Sequence, residues 1–412
     1  MKSSGQPIRW RRRLRQPVRW LVLVAAVALA RPQRQEPGTS VWLPALSPFV
    51  AVLAAISVRA VGVLTLLAVP VLLLVLAFPR WFCRWGCPVG LLQEWVAKLR
   101  PNARKSWRKW PAVGQWLLLL TLGGALLGYP LFLWLDPLAI FNGCLNSWRQ
   151  PIAVATLVTG LGLPALLLLE WAMPQLWCRR ICPLGATQDS LAAMRRGSRA
   201  KSGEGGQDRF AKRGRRQVLA AIAGAAGGFA VKTVRGQSPP LLRPPGSLDE
   251  KQFTGVCVRC GNCAQVCPSK VIQPELGASG AAGFLAPQLV FHSDYCREDC
   301  FRCTQVCPSG AISRIPLTEK RCRVIGLAVV DASDCLLAQG RECTACIQKC
   351  PYQAIVMYSS DGGFSNEPAV IADRCNGCGA CEAVCPVRPT RAIRIHQRRG
   401  ILADHMRKSS PR

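Results

Sequence analysis

Histidine is scarce in this sequence, with only three among 412 residues. Zinc sites commonly combine separated C-x2-C pairs with histidine, so zinc does not account for the 22 cysteines. The chain also lacks a C-x-x-C-H haem attachment motif and a glycine-rich dinucleotide fingerprint. These absences argue against a self-contained reductase that carries its own haem or nicotinamide site.

Acidic residues are few as well: 22 Asp and Glu stand against 53 Lys and Arg, a net charge of +31. Residues 1–240 hold 32 basic and seven acidic residues, whereas residues 241–412 hold 21 and 15. In the first part the basic residues flank apolar runs, as the positive-inside rule describes for membrane proteins. We therefore expect no nucleic-acid partner.

Apolar runs before residue 235 predict an α-helical membrane domain of four to five spans, with a short half-membrane helix over residues 47–57. No small-residue cleavage site follows the first run, so we interpret it as an uncleaved span rather than a signal peptide. The fifth run has only 15 residues and is rich in Ala and Gly. The predicted spans cover residues 20–30, about 60–79, about 112–135, about 152–173, and 217–231.

The basic residues between these runs predict the orientation of the chain. Segments 80–111 and 174–216 carry eight and eleven Lys and Arg, whereas segment 136–151 carries one. The two basic segments and the N-terminus are therefore expected in the cytoplasm. A spanning fifth run puts the C-terminal part in the periplasm of a multi-pass inner-membrane protein, which we expect; otherwise that part is cytoplasmic. Arg215 and Arg216 before this run resemble a twin-arginine export signal or, equally, the basic flank of an ordinary span.

Four cysteine units follow from residue 257, each ending in C-x2-C-x3-C-P. Units one and four match the bacterial ferredoxin spacing C-x2-C-x2-C-x3-C-P, and units two and three have a longer first interval. Disulfide frameworks have no reason to repeat this spacing. We predict four [4Fe–4S] clusters on Cys257, Cys260, Cys263, Cys267, Cys296, Cys300, Cys303, Cys307, Cys335, Cys343, Cys346, Cys350, Cys375, Cys378, Cys381 and Cys385.

The last cysteine of such a unit serves a neighbouring cluster in ferredoxins. If adjacent units pair, Cys307 completes the first cluster and Cys267 the second, while Cys385 completes the third and Cys350 the fourth. A nested pairing, first unit with fourth and second with third, uses the same ligands. Both pairings stay open.

Two further features fit ferredoxin-like cluster loops. Gly261, Gly377 and Gly379 are expected to relieve crowding where the backbone approaches cluster sulfurs. A short strand is expected soon after each Cys-Pro, for example at Ile355 and Ile393.

Two C-x3-C-P motifs lie in the predicted membrane domain, and each is followed by a hydrophobic residue and Gly. Thiols at positions i and i+4 share one face of a helix. Such a pair can cycle between dithiol and disulfide or supply two ligands, and all four thiols could also meet at one centre. The candidate redox thiols are Cys83, Cys87, Cys178 and Cys182.

Other residues near these motifs receive simpler interpretations. Arg84, Arg179 and Arg180 are expected to favour the thiolate form of the neighbouring cysteines. Cys144 and Cys322 lie outside any motif, and we interpret them as structural thiols, Cys322 as a buried one.

These motifs carry a family resemblance. The first 190 residues resemble NapH/MauN-type membrane ferredoxin proteins, which are related to the membrane parts of the accessory protein NosR, through the two C-x3-C-P motifs and Asp136-Pro137-Leu138. Residues 213–400 resemble the NapG/MauM type through the leader-like segment and the four cysteine units. The chain thus resembles a NapH–NapG fusion, although it lacks the two cluster motifs that usually follow the fourth span of NapH-type proteins.

The resemblance implies electron transfer from membrane quinol through iron–sulfur clusters to a periplasmic oxidoreductase, such as nitrate reductase or a methylamine-type system. The chain would then act beside a redox partner protein, as a component of a quinol dehydrogenase. A redox or metal maturation factor for a partner metalloenzyme is the alternative. The expected domains are a membrane domain (1–194), a basic linker with the fifth run (195–235), an α+β polyferredoxin domain of tandem ferredoxin-like units (236–400) and a basic tail (401–412).

Overall fold

The computed structural model describes residues 7–29, 41–99, 110–148, 154–199, 207–234, 241–359 and 366–397. The chain divides by its internal contacts into two compact units. Unit 1 contains Met1–Gly236, Asp249–Asn262 and Cys307–Ala311, and unit 2 contains Gln237–Leu248, Cys263–Val306 and Ile312–Arg412. Two segments beyond the predicted boundary at residue 236 thus belong with unit 1, and the predicted tail lies outside the described residues.

Unit 1 is built from helices, and three of them begin in the same way. Ser47, Cys87 and Asp136 each accept a hydrogen bond from a backbone N–H of the first turn, and proline follows each of them. A capping side chain before proline is a strong helix start, because proline needs no N–H partner there. The helices are α1 (Pro7–Leu29), α2 (Trp42–Ala45), α3 (Pro48–Val58), α4 (Val63–Leu66), α5 (Val69–Ala77), α6 (Trp81–Trp85), α7 (Pro88–Lys98), α8 (Val113–Leu126), α9 (Pro137–Ser147), α10 (Val154–Gly160), α11 (Gly162–Ala172), α12 (Pro183–Arg199), α13 (Gln207–Val234) and α14 (Glu250–Val256).

Helix α13 packs on α8 at unusually short range, because both helices carry glycine at the contact. A Cβ atom at Gly224 would lie 2.6 Å from Leu120 Cα, and one at Gly228 would lie 3.0 Å from Gly124 Cα. Small residues allow helices to approach this closely, as they do in membrane helix pairs. The fifth apolar run is therefore part of a helix that is tightly packed against its neighbour.

One helical stretch of the described residues, Val154–Ala172, is long and apolar enough to cross a membrane by length and composition. Three other apolar helices are shorter: Pro48–Val58, Val63–Ala77 and Val113–Leu126. The predicted third span is cut short because Gly128 has a φ of +79° and Pro130 follows it, and neither continues a helix. A domain of four to five spans therefore stays a prediction.

Unit 2 contains three two-stranded antiparallel sheets, which pair β1 with β2, β3 with β6 and β4 with β5. The strands predicted at Ile355 and Ile393 are present, whereas Ile312 forms only a single bridge with Ser247. The strands are β1 (Ile272–Pro274), β2 (Pro287–Leu289), β3 (Leu327–Val330), β4 (Ile355–Ser359), β5 (Asn366–Val370) and β6 (Ile393–His396). The helices are short: α15 (Asn262–Gln265, which begins in unit 1), α16 (Arg302–Gln305), α17 (Leu317–Cys322), α18 (Ala345–Lys349) and α19 (Ala380–Val384).

The glycines of the cysteine loops meet protein atoms. Gly379 has a φ of +83°, and a Cβ atom there would overlap the ring of Phe291. Phe291 is fully buried in the core of unit 2. The reason predicted for this glycine, crowding by cluster sulfurs, is therefore incomplete, because a protein side chain already fills the space.

We expect Gly379→Ala to destabilise unit 2 more than Gly340→Ala does. Gly340 has a similar φ of +77° but no atom within 4 Å of an added Cβ, so its substitution costs only the backbone strain, about 1–2 kcal/mol. Gly379→Ala adds the overlap with Phe291 and should cost roughly 1–3 kcal/mol more. Melting temperatures of the two purified variants measure the difference, and equal values would contradict the role of Phe291.

Candidate metal centre

The first cysteine loop is fixed to unit 1 by two asparagines of α9. Asn142 and Asn146 both donate hydrogen bonds from Nδ2 to the Cys260 carbonyl, over 3.0 and 2.8 Å. Both also donate to Oδ1 of Asn262, over 2.7 and 3.1 Å. All three asparagines are buried. Their amides therefore hold the backbone on both sides of Gly261 in place.

Cys257, Cys260 and Cys307 lie together in unit 1. Burial raises the pKa of Cys260 far above its usual value, the backbone N–H of Asn262 opposes this, and the Cys307 and Cys257 thiols raise it further. Cys260 follows Arg259 and precedes Gly261, which have φ values of +58° and +76°. Two left-handed residues around one cysteine make the tight loop that a cluster ligand needs.

The second set of thiols lines a cavity of about 350 Å³. Burial raises the pKa of Cys296 to about 11, and a cation, Lys320, opposes that rise. Lys320 is completely buried and donates to the backbone carbonyl of Arg297. A permanent positive charge is thus held beside a set of thiols, namely Cys267, Cys296, Cys300 and Cys303.

The third set lines a second cavity, of about 380 Å³, formed by Cys335, Cys343, Cys346 and Cys385 together with apolar side chains. Burial raises the pKa of Cys346 to about 11, and the Cys335, Cys343 and Cys385 thiols raise it further. The apolar lining explains the sign, because a low-dielectric environment disfavours the charged thiolate.

The fourth set joins Cys350 to Cys375, Cys378 and Cys381. Burial raises the pKa of Cys378 to about 12, and the thiols of Cys350, Cys296 and Cys375 add to the rise. Cys381 is raised further by the same neighbours, Cys378, Cys375 and Cys350, after burial as the main cause of its higher pKa.

These groupings follow the adjacent pairing of units. Cys307 lies with the first unit's thiols and Cys267 with the second's, while Cys385 lies with the third and Cys350 with the fourth. Cys263, the remaining cysteine of the first unit, follows Cys260 by three positions in the chain. The nested alternative has no counterpart in the thiol contacts of the described residues.

A backbone hydrogen bond joins the second set to the fourth. The N–H of Cys296 donates to the carbonyl of Cys378 over 2.9 Å. Tyr352, two residues after Cys350, has a pKa raised to about 12 by burial, with Cys378 and Cys296 among its charged neighbours. The sets therefore follow the order first, second, fourth, third, which is not their order in the sequence.

The thiol sets fit a polynuclear cluster. In the part of the chain that the structure describes, no three Cys, His, Asp or Glu side chains converge on a point that would hold one metal ion. Instead, four thiols surround a cavity of 350 to 380 Å³ in the second and third sets. A [4Fe–4S] cluster needs four thiolates spread around its corners rather than gathered on one atom.

Sequence reasoning missed Lys320 and the asparagine pair. Asn142 and Asn146 stand four positions apart in an otherwise apolar segment, so a shared polar contact was a readable signal. Lys320 carried no such signal, because it is surrounded by other charged residues in the sequence.

In unit 1 the four thiols of the C-x3-C-P motifs come together. Burial raises the pKa of Cys182 well above its usual value, and the thiols of Cys83, Cys178 and Cys87 raise it further. The cysteines of one motif do not simply share a helical face as predicted. Cys87 follows the end of α6 and caps α7, and Cys182 ends a π-helical turn over Trp177–Ile181.

The arginine prediction is wrong. Burial raises the pKa of Cys83 to about 11, and the cation that opposes the rise is Arg80, not Arg84, Arg179 or Arg180. Burial outweighs the positive charge because the thiol is almost wholly removed from water.

The two isolated cysteines differ from each other. Cys144 is buried on α9, in keeping with a structural thiol, whereas Cys322 is exposed at the end of α17 rather than buried as predicted.

Comparisons with known proteins agree with a cluster-binding function. A family model described as a 4Fe-4S binding domain matches residues 59–106 and 152–201, and one described as a 4Fe-4S dicluster domain matches residues 256–311 and 341–388. The first dicluster match contains units one and two, and the second contains unit four and most of unit three. Each match thus covers adjacent units.

The chain is similar to several ferredoxin-type proteins. It is 36% identical to the ferredoxin-type protein NapG of Escherichia coli over 47% of this chain and 91% of NapG. It is 34% identical to the methylamine utilization ferredoxin-type protein MauM of Methylobacillus flagellatus, over 44% of this chain and 79% of MauM. For the ferredoxin-type protein NapF of Escherichia coli the values are 33%, 38% and 86%. No solved structure matches.

The cysteine spacing, the grouped thiols and these relatives lead to one conclusion: the chain belongs to the family of ferredoxin-type iron–sulfur electron-transfer proteins that includes NapG and MauM.

Proposed function

We propose that this protein is anchored in the inner membrane and passes electrons from the quinol pool, through four [4Fe–4S] clusters, to a periplasmic oxidoreductase such as nitrate reductase or a methylamine-type system. The observation that carries the proposal is the grouping of the cluster cysteines into four interleaved sets, of which the second and fourth are joined by a hydrogen bond between their own backbones. Each cluster, when bound, takes up and releases one electron. The sixteen cysteines named above are the proposed ligands.

Membrane anchoring is supported by the outer surface of the unit 1 helices. Leu21, Leu73, Leu168 and Leu219 lie on four different helices and are each more than 60% exposed. Exposed apolar surface of this extent is costly in water and favourable in lipid. The close α8–α13 packing through glycine also suits helices in a bilayer. We accordingly retain the multi-pass topology and the periplasmic position of the cluster domain as proposals.

The NapH-like interpretation of the first 190 residues is supported by the 4Fe-4S binding domain match, which covers both C-x3-C-P motifs. It places quinol chemistry in unit 1, where the first cysteine loop is also fixed. Besides the asparagine contacts, Gln252 donates to the Ser57 carbonyl over 2.7 Å, and Arg259 stacks over Trp134 at 5.4 Å from the ring centre. These contacts hold the first thiols against the helices that are proposed to meet the quinol.

Quinol oxidation tests this function directly. Anaerobically purified full-length protein in lipid vesicles should lose its visible iron–sulfur absorbance when menaquinol or ubiquinol is added. A maturation factor has no need of this response. Clusters that dithionite reduces but neither quinol reduces would contradict the proposal.

The pairing of units can be tested by counting iron. Cys260→Ala and Cys307→Ala should each lose about four irons per chain, and the double variant should lose no more, because both residues serve one cluster. The control pair, Cys260→Ala with Cys385→Ala, should lose about eight, because those residues serve different clusters. Nested pairing predicts the reverse for both pairs.

Lys320 should raise the reduction potential of the second cluster. Its buried ammonium favours the reduced form, which carries one more negative charge. Lys320→Met should therefore lower one midpoint potential, by an amount on the order of tens of millivolts for a partly screened charge. The control Arg321→Met removes an exposed charge from the next position of α17, and an equal effect from both variants in a redox titration would refute the assignment.

A further inference from the structure

The two C-x3-C-P motifs belong to a repeat that extends beyond the cysteines. Every residue of the second copy lies 95 positions after its counterpart, and the copies share Cys, Cys, Pro, Gly and Gln at matching places. The glutamines, ten positions after the first cysteine of each motif, are Gln93 and Gln188. An acidic residue follows each glutamine, at Glu94 and Asp189.

The backbone repeats as well as the sequence. Arg80 and Gln175, which occupy equivalent places three residues before the first cysteine, have φ values of +53° and +66°. A Cβ atom at Gly90 would lie 3.5 Å from the Cys83 carbonyl oxygen, and one at Gly185 would lie 3.4 Å from that of Cys178. The same strained turn, uncommon for residues other than glycine, is therefore built twice around one group of thiols.

Each glutamine contacts a thiol of the other motif. Gln188 donates from Nε2 to Cys83 Sγ over 3.0 Å, and Gln93 Oε1 lies 2.6 Å from Cys178 Sγ. Both glutamines are 2% exposed or less. The remaining amide atoms, Nε2 of Gln93 and Oε1 of Gln188, have no hydrogen-bond partner. A half-turn of the Gln93 amide, which exchanges two nearly equivalent atoms, gives it the same N–H···S contact that Gln188 makes.

From this arrangement we propose that Cys83, Cys87, Cys178 and Cys182 bind a fifth [4Fe–4S] cluster, with Gln93 and Gln188 each donating an N–H to a ligand sulfur. Each of the four thiols loses one proton and binds one iron. Cluster-bound sulfur accepts hydrogen bonds readily, whereas a neutral thiol or a disulfide is a weak acceptor and gives two buried amide donors little reason to be there. A disulfide within each motif would also leave the crossing of glutamines between motifs unexplained.

The charges around these thiols suit an anionic centre. The guanidinium of Arg80 is held by Asp189, with Nε 2.7 Å from Oδ1, and it faces Cys83 and Cys182. Four thiolates on a cluster carry net negative charge, which a partly buried arginine stabilises. The match of a 4Fe-4S binding domain to both copies of the repeat agrees with this ligand.

Helix α9 connects this centre with the first cysteine loop. Its capping residue, Asp136, is close enough to Cys83 and Cys87 for their charges to interact. Asn142 and Asn146, which hold the Cys260 carbonyl, lie on the same helix. Ten residues of α-helix span about 15 Å. The fifth cluster would therefore stand beside the array rather than a full bilayer away from it, and in this respect the inference rests on the proposed function.

The test counts iron and labile sulfide in anaerobically purified full-length protein. The wild type should hold about twenty irons, on the basis of four per cluster, and Cys83→Ala/Cys178→Ala should hold about four fewer. The matched control, Cys144→Ser, changes a buried cysteine of the same unit and should lose none. A wild type with about sixteen irons, unchanged in the double variant, overturns the fifth cluster and leaves the array intact. A loss of four from a total well below twenty supports the fifth cluster and contradicts the array.

A second measurement does not depend on the folding of the cysteine variant. Gln188→Leu and Gln93→Leu keep all four thiols and should keep the iron, but each removes one N–H···S contact. Hydrogen bonds to sulfur raise cluster potentials, so both variants should lower the midpoint of the same cluster in a redox titration followed by electron paramagnetic resonance. Unchanged potentials in both variants would overturn the proposed role of the glutamines.

Discussion

The cysteine array depends on one constraint, the exchange of the last cysteine between adjacent units. A loop of three closely spaced thiols cannot supply a fourth ligand on the opposite side of a cluster, so the chain must bring that ligand from elsewhere. In this protein Cys267 lies with the second unit and Cys350 with the fourth. Neither unit of a pair can therefore assemble its site alone, and cluster binding holds each pair together.

Burial of the thiols follows from the same constraint. Cys296, Cys346 and Cys378 have pKa values raised to about 11 or 12, chiefly by burial. Buried thiols of this kind stay protonated at neutral pH until a metal displaces the proton. The protein provides selective compensation at one place, where Lys320 brings a positive charge to the second set. Differences of this kind between the sets are the means by which a protein separates the potentials of chemically identical clusters.

Local patterns predicted the parts of the fold that depend on local chemistry. The cysteine spacing predicted the loops, and the apolar pairs after Cys-Pro predicted β4 and β6. Pairing of the units was beyond such patterns, because it depends on contacts between residues up to fifty positions apart, such as Cys257 with Cys307. The arginine prediction failed for a related reason: proximity in sequence to Cys83 said nothing about which guanidinium faces it, and Arg80 does so only because Asp189, more than a hundred positions later, holds it.

Helix α9 shows how one element can serve two centres. It starts at Asp136, whose carboxylate accepts from two backbone N–H groups and from Ser47, so the start of the helix is fixed in the core of unit 1. Two turns later, Asn142 and Asn146 hold the Cys260 carbonyl. A rigid helix transmits neither electrons nor strain by itself, but it fixes the distance between its ends. Because electron transfer between centres depends steeply on distance, a short helix anchored at both ends is a direct way to keep that distance constant while the surrounding lipid and the redox partners change.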